Sequence, residues 1–453
     1  MQTTDDDPPA ELPDQPAPQP APQPMGEDFR PVQDSERIDS VDVLRGVAIL
    51  GILAININAF AGPLAAINNP SLFGGDSLLD LGTWIVTHVL FEQKFISIFS
   101  LLFGAGLALM TGRAEARGQR FRSRYYRRLL WLLLIGMVHA YLIWYGDILV
   151  TYALCGLILY PLRRRSPRTL IIIGVILLMV VPVITSLFGM AMESTRARAS
   201  EAAALVEAGE EITDEQQKSL EKWEQTRKNL APTAEDLAAE VEAMRGDYGS
   251  VVEHQIPQAV NIQFFTLVMY GLWRVVGLML IGMAFMKLGV LSAQRSPAFY
   301  RRAMTVGYGL GLPLVGYSAW TLIDHDFDPV FSFQLGSLFN YFASLLIALG
   351  HLALVMWLCQ TDRLAALRAR LAAVGRAALS NYLLHSFVFT AIFYGWGIGL
   401  FGQVSRFALS GFVVAMWLLQ LAISKPWLER YHYGPLEWLW RSLTYWRRQP
   451  MRR

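Results

Sequence analysis

The sequence RIDSVDVLRGVAILGILAININAFAGP, from Arg37 to Pro63, decides the fold class, because a charged stretch passes directly into an uncharged apolar run. The apolar run has the length of one membrane-spanning helix. Asp42 and Arg45 are three residues apart, so a helix places them on one face where the apolar run begins. Each lowers the cost of desolvating the other, and we interpret the pair as a structural unit.

Two amide side chains, Asn56 and Asn58, follow further along the same helix. In a membrane-spanning segment each unpaired polar group costs several kcal/mol, so both amides need partners inside the protein. They are either interhelical hydrogen-bonding groups or part of a substrate-binding pocket, and the spacing does not choose between the two.

The composition predicts a polytopic membrane protein with an all-α fold. Of 453 residues, 53% are hydrophobic and only 17% are charged, which is too apolar for a soluble protein of this length. The formal net charge of +2 says little by itself, because in a membrane protein the distribution of lysine and arginine carries the information. We expect no nucleic-acid partner. Cys155 and Cys359 both lie in apolar runs, so we predict neither a disulfide framework nor a metal site.

About ten membrane spans are predicted from runs of apolar residues. The second run is too long for one straight helix, and Glu92, Gln93 and Lys94 interrupt it, so we expect a short helix that leads into a full span. The ten spans are 43–62, 83–111, 128–146, 148–162, 169–190, 261–290, 303–322, 333–358, 375–397 and 404–424.

The distribution of arginine predicts the orientation of these spans. Arginines gather in alternate connections, within 113–128, 163–168, 295–302 and 363–376. Because basic connections stay on the cytoplasmic side, we expect both termini and these four connections to be cytoplasmic.

The spans divide the chain into five predicted regions. Region 192–255 carries 15 acidic and 7 basic positions and a helical pattern, which predicts an extracytoplasmic helical hairpin. Pro232 and Thr233 mark the start of its second helix. The hairpin is either a solvated cap or a lid over a site. The regions are a disordered Pro-rich tail (1–36), a first bundle half (37–190), the hairpin (191–256), a second bundle half (257–426) and an interfacial helix with a basic tail (427–453).

Several spaced motifs resemble those of the YeiB family of bacterial inner-membrane proteins, and the resemblance covers about 37–446. It implies that this protein lies in a bacterial inner membrane. The motifs are the opening DVLRG at 42–46, KF at 94–95, LFGAGL at 102–107, LIGMVH at 134–139, WYGDIL at 144–149, VGRAALSNYLL at 374–384 and GPLEWLWR at 434–441.

The opening motif is also similar to the first helix of the membrane acyltransferase superfamily. That similarity implies an acyl donor such as acyl-coenzyme A, no metal, and a lipid-linked sugar or envelope glycan as the acceptor. In the acyltransferase-three branch of the superfamily a histidine occupies the position that is Asn56 here.

Acyl transfer needs a base, because a hydroxyl must lose its proton as it attacks, and histidine is the usual choice. Among seven histidines we rank His139 first, because the family motif carries it together with Asp147 and an unpaired imidazole inside the membrane is costly. Eight residues of straight helix span about 12 Å. We therefore expect Asp147 to bind the acceptor at the mouth of the site and not to orient the imidazole. The alternative role for His139 is an interhelical hydrogen bond.

Further candidates for substrate binding are Asn381 and His385 on the ninth span and Arg274 on the sixth. Arg274 could hold a phosphate or carboxylate, or it could form a structural ion pair with Asp80 or Glu92. We expect His139, Asn56 and Asp147 to line one outward-facing cavity where spans one, three and nine meet.

Two functions follow from these patterns. The first is a membrane acyltransferase, and the second is a transporter or carrier of lipid or small molecules that uses the same polar groups. No Walker loop, Rossmann fingerprint or HExxH motif occurs, which argues against nucleotide-driven pumping and zinc hydrolysis. The transporter function predicts repeat symmetry between the two halves of the chain, and the sequence shows none. This favours the acyltransferase.

Overall fold

The computed structural model describes residues 38–72, 77–119 and 121–453, without the side chains of Asn68 and Asn229. The predicted Pro-rich tail over 1–36 lies outside these residues. The described chain is helical throughout and contains no β-strand, so the all-α fold is confirmed.

The helices follow one another with short connections, and two π-helical segments, Asn261–Gly271 and Ser332–Gly336, interrupt the regular pattern. The α-helices are α1 (Asp39–Ala61), α2 (Ala65–Asn68), α3 (Leu78–Leu90), α4 (Lys94–Ala116), α5 (Arg122–Leu142), α6 (Leu149–Leu162), α7 (Pro167–Glu207), α8 (Asp214–Leu230), α9 (Ala234–Met244), α10 (Tyr248–Val260), α11 (Leu272–Lys287), α12 (Pro297–Asp324), α13 (Pro329–Phe331), α14 (Ser337–Cys359), α15 (Ala365–Arg376), α16 (Ala378–Phe393), α17 (Arg406–Arg430) and α18 (Pro435–Tyr445).

The helices show a polytopic membrane protein. In the described chain, seven segments are long and apolar enough to cross a membrane, namely Asp39–Ala61, Leu78–Ala116, Pro167–Glu207, Tyr248–Lys287, Pro297–Asp324, Pro329–Cys359 and Arg406–Arg430. The remaining three of the ten predicted spans coincide with α5, α6 and α16. The total of about ten crossings stays a prediction.

The arginine-rich connections lie together at one end of the bundle, which we call the basic end. Lys287 donates a hydrogen bond to the carbonyl of Arg163 at 2.6 Å, and Gln360 donates one to the carbonyl of Arg295 at 2.6 Å. The first turn of α1 hydrogen-bonds to the connection before α12. Helix α18 packs at the same end, where the Trp440 indole donates to a carbonyl of α5 at 2.9 Å.

The acidic hairpin region lies at the opposite end, which we call the acidic end. It consists of the last turns of α7 with α8, α9 and α10. Glu240 accepts from the backbone N–H of Leu64 just after α1, and Arg245 donates to the carbonyl of Phe401 just before α17. Helices α8 and α9 both begin with a capping box, at Thr213 and Thr233. The predicted helix start at Thr233 is therefore confirmed.

The predicted interruption of the second apolar run is also confirmed. Helix α3 ends at Leu90, and Gln93 adopts a left-handed backbone with φ of 62° before α4 begins at Lys94. The charged residues of this interruption, Glu92 and Lys94, lie inside the bundle, because the break places them beside α11 and α14.

Candidate functional site

The first polar cluster, which we call the hydroxyl cluster, joins Asp147, His139 and Ser386 in series. Nδ1 of His139 lies 2.6 Å from a carboxylate oxygen of Asp147, and Nε2 lies 2.8 Å from the hydroxyl of Ser386. His139 is 1% exposed and Ser386 is 0% exposed. The three side chains therefore form one hydrogen-bonded line in a water-excluded part of the bundle.

The end of α5 brings Asp147 to the imidazole. The backbone N–H groups of Ile143 and Trp144 both donate to the carbonyl of His139, which ends the helix at Leu142. The chain then turns back, and the second carboxylate oxygen of Asp147 accepts from the N–H of Val150 at 2.7 Å in the first turn of α6.

The expectation that Asp147 cannot orient His139 is wrong. It assumed that α5 runs straight through both residues, whereas the helix stops between them and the chain folds back. The partners assign the tautomer: Nδ1–H donates to Asp147, and Nε2 accepts from the Ser386 hydroxyl. This is the order of carboxylate, imidazole and hydroxyl that activates a nucleophile.

Aromatic rings enclose the hydroxyl cluster. Tyr382 and Trp144 present their edges to the imidazole, with ring centroids 5.5 Å and 6.2 Å away. Trp144 stacks on Phe60 of α1 at 4.1 Å. Helices α1, α5 and α16 therefore meet at this cluster, as the sequence predicted for spans one, three and nine.

Sequence reasoning missed Ser386, although it directly follows His385. The sequence signal is weak, because a serine inside an apolar helix usually bonds to the preceding turn of its own backbone. On α16 the hydroxyl of Ser386 faces α5, while the neighbouring imidazole faces α17.

The predicted binding residues Asn381 and His385 belong to a different network, between α16 and α17. His385 lies 3.0 Å from the amide oxygen of Gln420, and the Gln420 amide donates to the carbonyl of Asn381 at 3.0 Å. Asn381 donates to the carbonyl of Val374 and to the hydroxyl of Ser424. These contacts join two helices, and none of them reaches His139.

Neither amide of α1 makes a hydrogen bond to His139 within the described residues. Asn58 accepts from Arg406 at 3.0 Å and donates to the carbonyl of Ile55. Asn56 is half-buried and makes no hydrogen bond within the described residues. A shared cavity of Asn56, Asp147 and His139 stays a prediction.

At the basic end, Arg45 donates to a carboxylate oxygen of Asp42 at 2.7 Å and lies 3.4 Å from the carbonyl of Gly375. The pair therefore ties α1 to the end of α15, which fits a structural role.

A second polar cluster, which we call the charged cluster, surrounds the break between α3 and α4. The Lys94 ammonium donates to the side-chain oxygen of Asn340 at 2.7 Å and to the carbonyl of His88 at 2.6 Å. Glu92 lies 2.6 Å from Nδ1 of His88 and accepts from Asn340 at 3.2 Å. Lys94 is 0% exposed, so a basic side chain lies entirely inside the bundle.

Arg274 completes the charged cluster from α11. Its Nη2 donates to the hydroxyls of Ser97 and Ser344, at 3.0 Å and 2.8 Å. In the described chain no nitrogen of Arg274 lies at ion-pair distance from Asp80 or Glu92, although Glu92 is near enough to interact with it electrostatically. Asp80 instead accepts the backbone N–H of Phe407 at 2.7 Å, in the first turn of α17.

The comparisons with known proteins agree on one family. Residues 285–447 match the family described as "Protein of unknown function (DUF418)". The chain is 34% identical over 419 residues to "Uncharacterized protein YeiB" of Escherichia coli (strain K12), covering 90% of this chain and 96% of that protein. The chain belongs to the DUF418 (YeiB) family.

A second member of the DUF418 family, "Uncharacterized protein YxaH" of Bacillus subtilis (strain 168), is 32% identical over 427 residues. This alignment covers 93% of the present chain and 98% of YxaH. No solved structure matches the chain. Among the described residues, no group of three or more histidine, cysteine or acidic side chains could hold a metal ion.

Proposed function

We propose that this DUF418 protein is an integral membrane acyltransferase that modifies a lipid-linked sugar or an envelope glycan. The observation that supports the proposal is the hydroxyl cluster, in which Asp147, His139 and Ser386 bond in the order that activates a hydroxyl nucleophile. A purely structural hydrogen bond of His139 would need only one of these partners.

Ser386 is the group on which His139 acts in this proposal. The single lone pair of Nε2 is already engaged by the Ser386 hydroxyl, so an acceptor sugar cannot also donate to it. Acyl transfer then proceeds in two steps through an ester of Ser386.

In the first step, the oxygen of Ser386 attacks the carbonyl of an acyl thioester as His139 takes the hydroxyl proton. The carbon–sulfur bond breaks, and the leaving thiolate receives that proton from His139. In the second step, a sugar hydroxyl attacks the ester carbonyl and loses its proton to His139. The proton returns to the oxygen of Ser386 as the serine leaves.

The proposed location is a bacterial inner membrane with the basic end and both termini in the cytoplasm. The clustering of arginine-rich connections at one end supports this orientation. His139 lies about 25 Å along α5 from its first residue at that end. The acceptor would reach Ser386 from the acidic end, which suits an envelope glycan.

The donor in this proposal carries phosphate groups, as acyl-coenzyme A does, and would meet the arginines of the basic end. Arg128 lies over the ring of Trp440, with 3.5 Å between its guanidinium carbon and the ring centroid. An arginine held flat in this way presents its nitrogens to a phosphate at the edge of the ring.

A carrier without chemistry is the second candidate function. The break between α3 and α4, with Lys94 and Glu92 beside it, favours this alternative, because membrane carriers build substrate sites at interrupted helices. Only the acyltransferase requires a covalent change at Ser386.

The proposal is tested by trapping the Ser386 ester on purified protein in detergent. Para-nitrophenyl octanoate supplies the acyl group, and peptide mass spectrometry measures its transfer. We expect an octanoyl group on the peptide that contains Ser386, and at least a hundredfold less in Ser386→Ala and His139→Ala.

Ser100→Ala is the matched control, because Ser100 is a buried serine on α4 that bonds to the hydroxyl of Tyr152 at 2.8 Å. It should leave acylation of Ser386 unchanged. Absence of an octanoyl group on Ser386 in the unchanged protein would overturn the proposed mechanism.

A further inference from the structure

The charged cluster contains more basic than acidic side chains. Lys94 and Arg274 are the basic side chains, and Glu92 is the acidic side chain close enough to influence both of them. Nδ1 of His88 lies 2.6 Å from Glu92, and an imidazole supplies no negative charge. Two basic groups therefore share one carboxylate inside the bundle, where unpaired polar groups are costly.

Arg274 is the part of the cluster that lacks hydrogen-bond acceptors. The residue is 2% exposed, yet its Nε and Nη1 have no partner. Buried guanidinium groups normally have their N–H groups satisfied, because each unsatisfied donor costs about 1–3 kcal/mol.

The surrounding residues hold the guanidinium in place. Ser97 and Ser344 fix Nη2, and the rings of Tyr341 and Tyr270 lie 4.5 Å and 5.8 Å from the guanidinium carbon. Tyr270 belongs to the π-helical segment before α11, and such segments often occur at functional sites. The side chain is therefore positioned before any ligand arrives.

The break between α3 and α4 is the route by which a ligand would reach Arg274. The Glu92 side chain is 25% exposed, whereas Lys94 directly behind it is fully buried. The Gln93 side chain accepts from the Tyr270 hydroxyl at 2.8 Å, which ties the break to the π-helical segment. A ligand that enters beside Glu92 would contact the side chains of Lys94 and Arg274.

We propose that Arg274 and Lys94 bind one singly charged anionic group, a phosphodiester or a carboxylate, inside the charged cluster. The oxygens of such a group accept from the free nitrogens of Arg274, which the protein itself leaves without partners. The group comes either from the headgroup of an anionic phospholipid or from a free anion. This inference does not depend on the proposed acyl transfer, because no contact joins the cluster to Ser386.

Binding to the purified full chain in detergent tests the proposal, with native mass spectrometry as the readout. The probes are dioctanoyl phosphatidylglycerol, dioctanoyl phosphatidylcholine and inorganic phosphate. We expect phosphatidylglycerol to bind at least tenfold more tightly than phosphatidylcholine, and Arg274→Gln to abolish that difference. Competition by phosphate would identify a free anion as the ligand, and its failure would identify the lipid headgroup.

Arg406→Gln is the matched control, because Arg406 is also a buried arginine with an unpartnered Nε, held by Asn58 and the carbonyl of Ala66. It should leave phosphatidylglycerol binding unchanged. Equal affinity of Arg274→Gln and the unchanged protein for every probe would overturn the site. Equal binding of the two lipids by the unchanged protein, together with no phosphate binding that depends on Arg274, would also overturn it.

Arg274→Lys covers the case in which Arg274→Gln does not fold, because it keeps the buried charge. Its single nitrogen cannot replace the planar guanidinium, so we expect phosphatidylglycerol to bind at least threefold more weakly. Unchanged affinity in this variant would also overturn the site.

Discussion

At the scale of single residues, the position of Asp147 separates a structural histidine from an activated one. A buried imidazole with one hydroxyl partner would only join two helices. In the proposed mechanism, the carboxylate at Nδ1 holds the proton of His139 there, and the hydroxyl at Nε2 sets the direction of proton transfer.

Asp147→Asn tests this role. The amide keeps the size of the carboxylate and can still accept from Val150, so the protein should fold. An amide hydrogen directed at Nδ1 would favour the tautomer with the proton on Nε2, and acylation of Ser386 should fall about 10⁴-fold.

The measurement is the rate of octanoyl transfer per folded protein, with circular dichroism as the check on folding. Asp328→Asn is the control, because Asp328 accepts the N–H of Phe331 near the acidic end and no contact links it to His139. Full acylation activity in Asp147→Asn would contradict the assigned role.

At the scale of elements, glycines set the closest helix contacts. At Gly46 of α1, an added Cβ would lie 2.0 Å from the carbonyl oxygen of Leu371 in α15. Helices α4 and α11 approach as closely, at Gly104 against Met279 and at Gly282 against Leu101. The backbones touch because no side chain separates them.

Gly104→Ala is expected to destabilise the protein. Its Cβ would lie 1.8 Å from the carbonyl oxygen of Met279, so the two helices must separate, at a cost of about 1–3 kcal/mol. Gly106→Ala on the same helix is the matched control, because a Cβ there meets nothing within 4 Å.

Thermal unfolding in one detergent measures both variants. The melting temperature of Gly104→Ala should drop by several degrees, while that of Gly106→Ala should stay level or rise. Equal melting temperatures for the two variants would show that α4 and α11 are not packed this closely.

Helix α18 is held by a buried carboxylate. Glu437 accepts from the N–H groups of Leu379 and Ser380, at 2.6 Å and 3.1 Å, in the first turn of α16, and it also bonds to the Ser380 hydroxyl. Burial raises the pKa of Glu437 above its ordinary value of 4.5, although these hydrogen bonds lower it in part.

The sign of this pKa shift predicts a pH dependence. A raised pKa in the folded state means that Glu437 contributes most when protonated, and that this stability is lost as pH rises through the raised pKa. Glu437→Gln resembles the protonated acid, so its melting temperature relative to the unchanged protein should be higher at pH 8 than at pH 5. Glu437→Ala, which removes the acceptor, should be less stable at both pH values. The same relative melting temperature of Glu437→Gln at both pH values would contradict the shift.

At the scale of the whole molecule, charge divides the bundle into two ends. Loops far apart in sequence meet at the basic end, and the acidic region of α7 to α10 covers the other end. A helical membrane protein with this division has one favoured orientation, because basic connections resist translocation.

Cysteine labelling tests that orientation in a background without Cys155 and Cys359. Gln217 on α8 and Ala366 on α15 are both exposed and lie at the acidic and basic ends, respectively. A membrane-impermeant maleimide added to whole cells should label Gln217→Cys and leave Ala366→Cys unlabelled until the membrane is opened. The reverse pattern would invert the proposed topology.

The sequence by itself determined the membrane class, the all-α fold, the interruption at Glu92 to Lys94 and the helix start at Thr233. These features depend on residues within one or two helical turns, where apolar length, charge and capping act locally. The family also followed from short motifs in a fixed order, and the comparisons confirm it.

Only the tertiary structure decided which polar groups meet. Ser386 lies 247 positions from His139, and Asn340 lies 246 positions from Lys94, so no local pattern connects them. The turn after Leu142 brings Asp147 within hydrogen-bond distance of His139, which a straight helix would not allow. The sequence did not show this turn, because the end of a helix is set by packing as well as by propensity. Inside a low-dielectric bundle, each polar group pairs with whichever partner the helix packing brings within reach, and that choice is made in three dimensions.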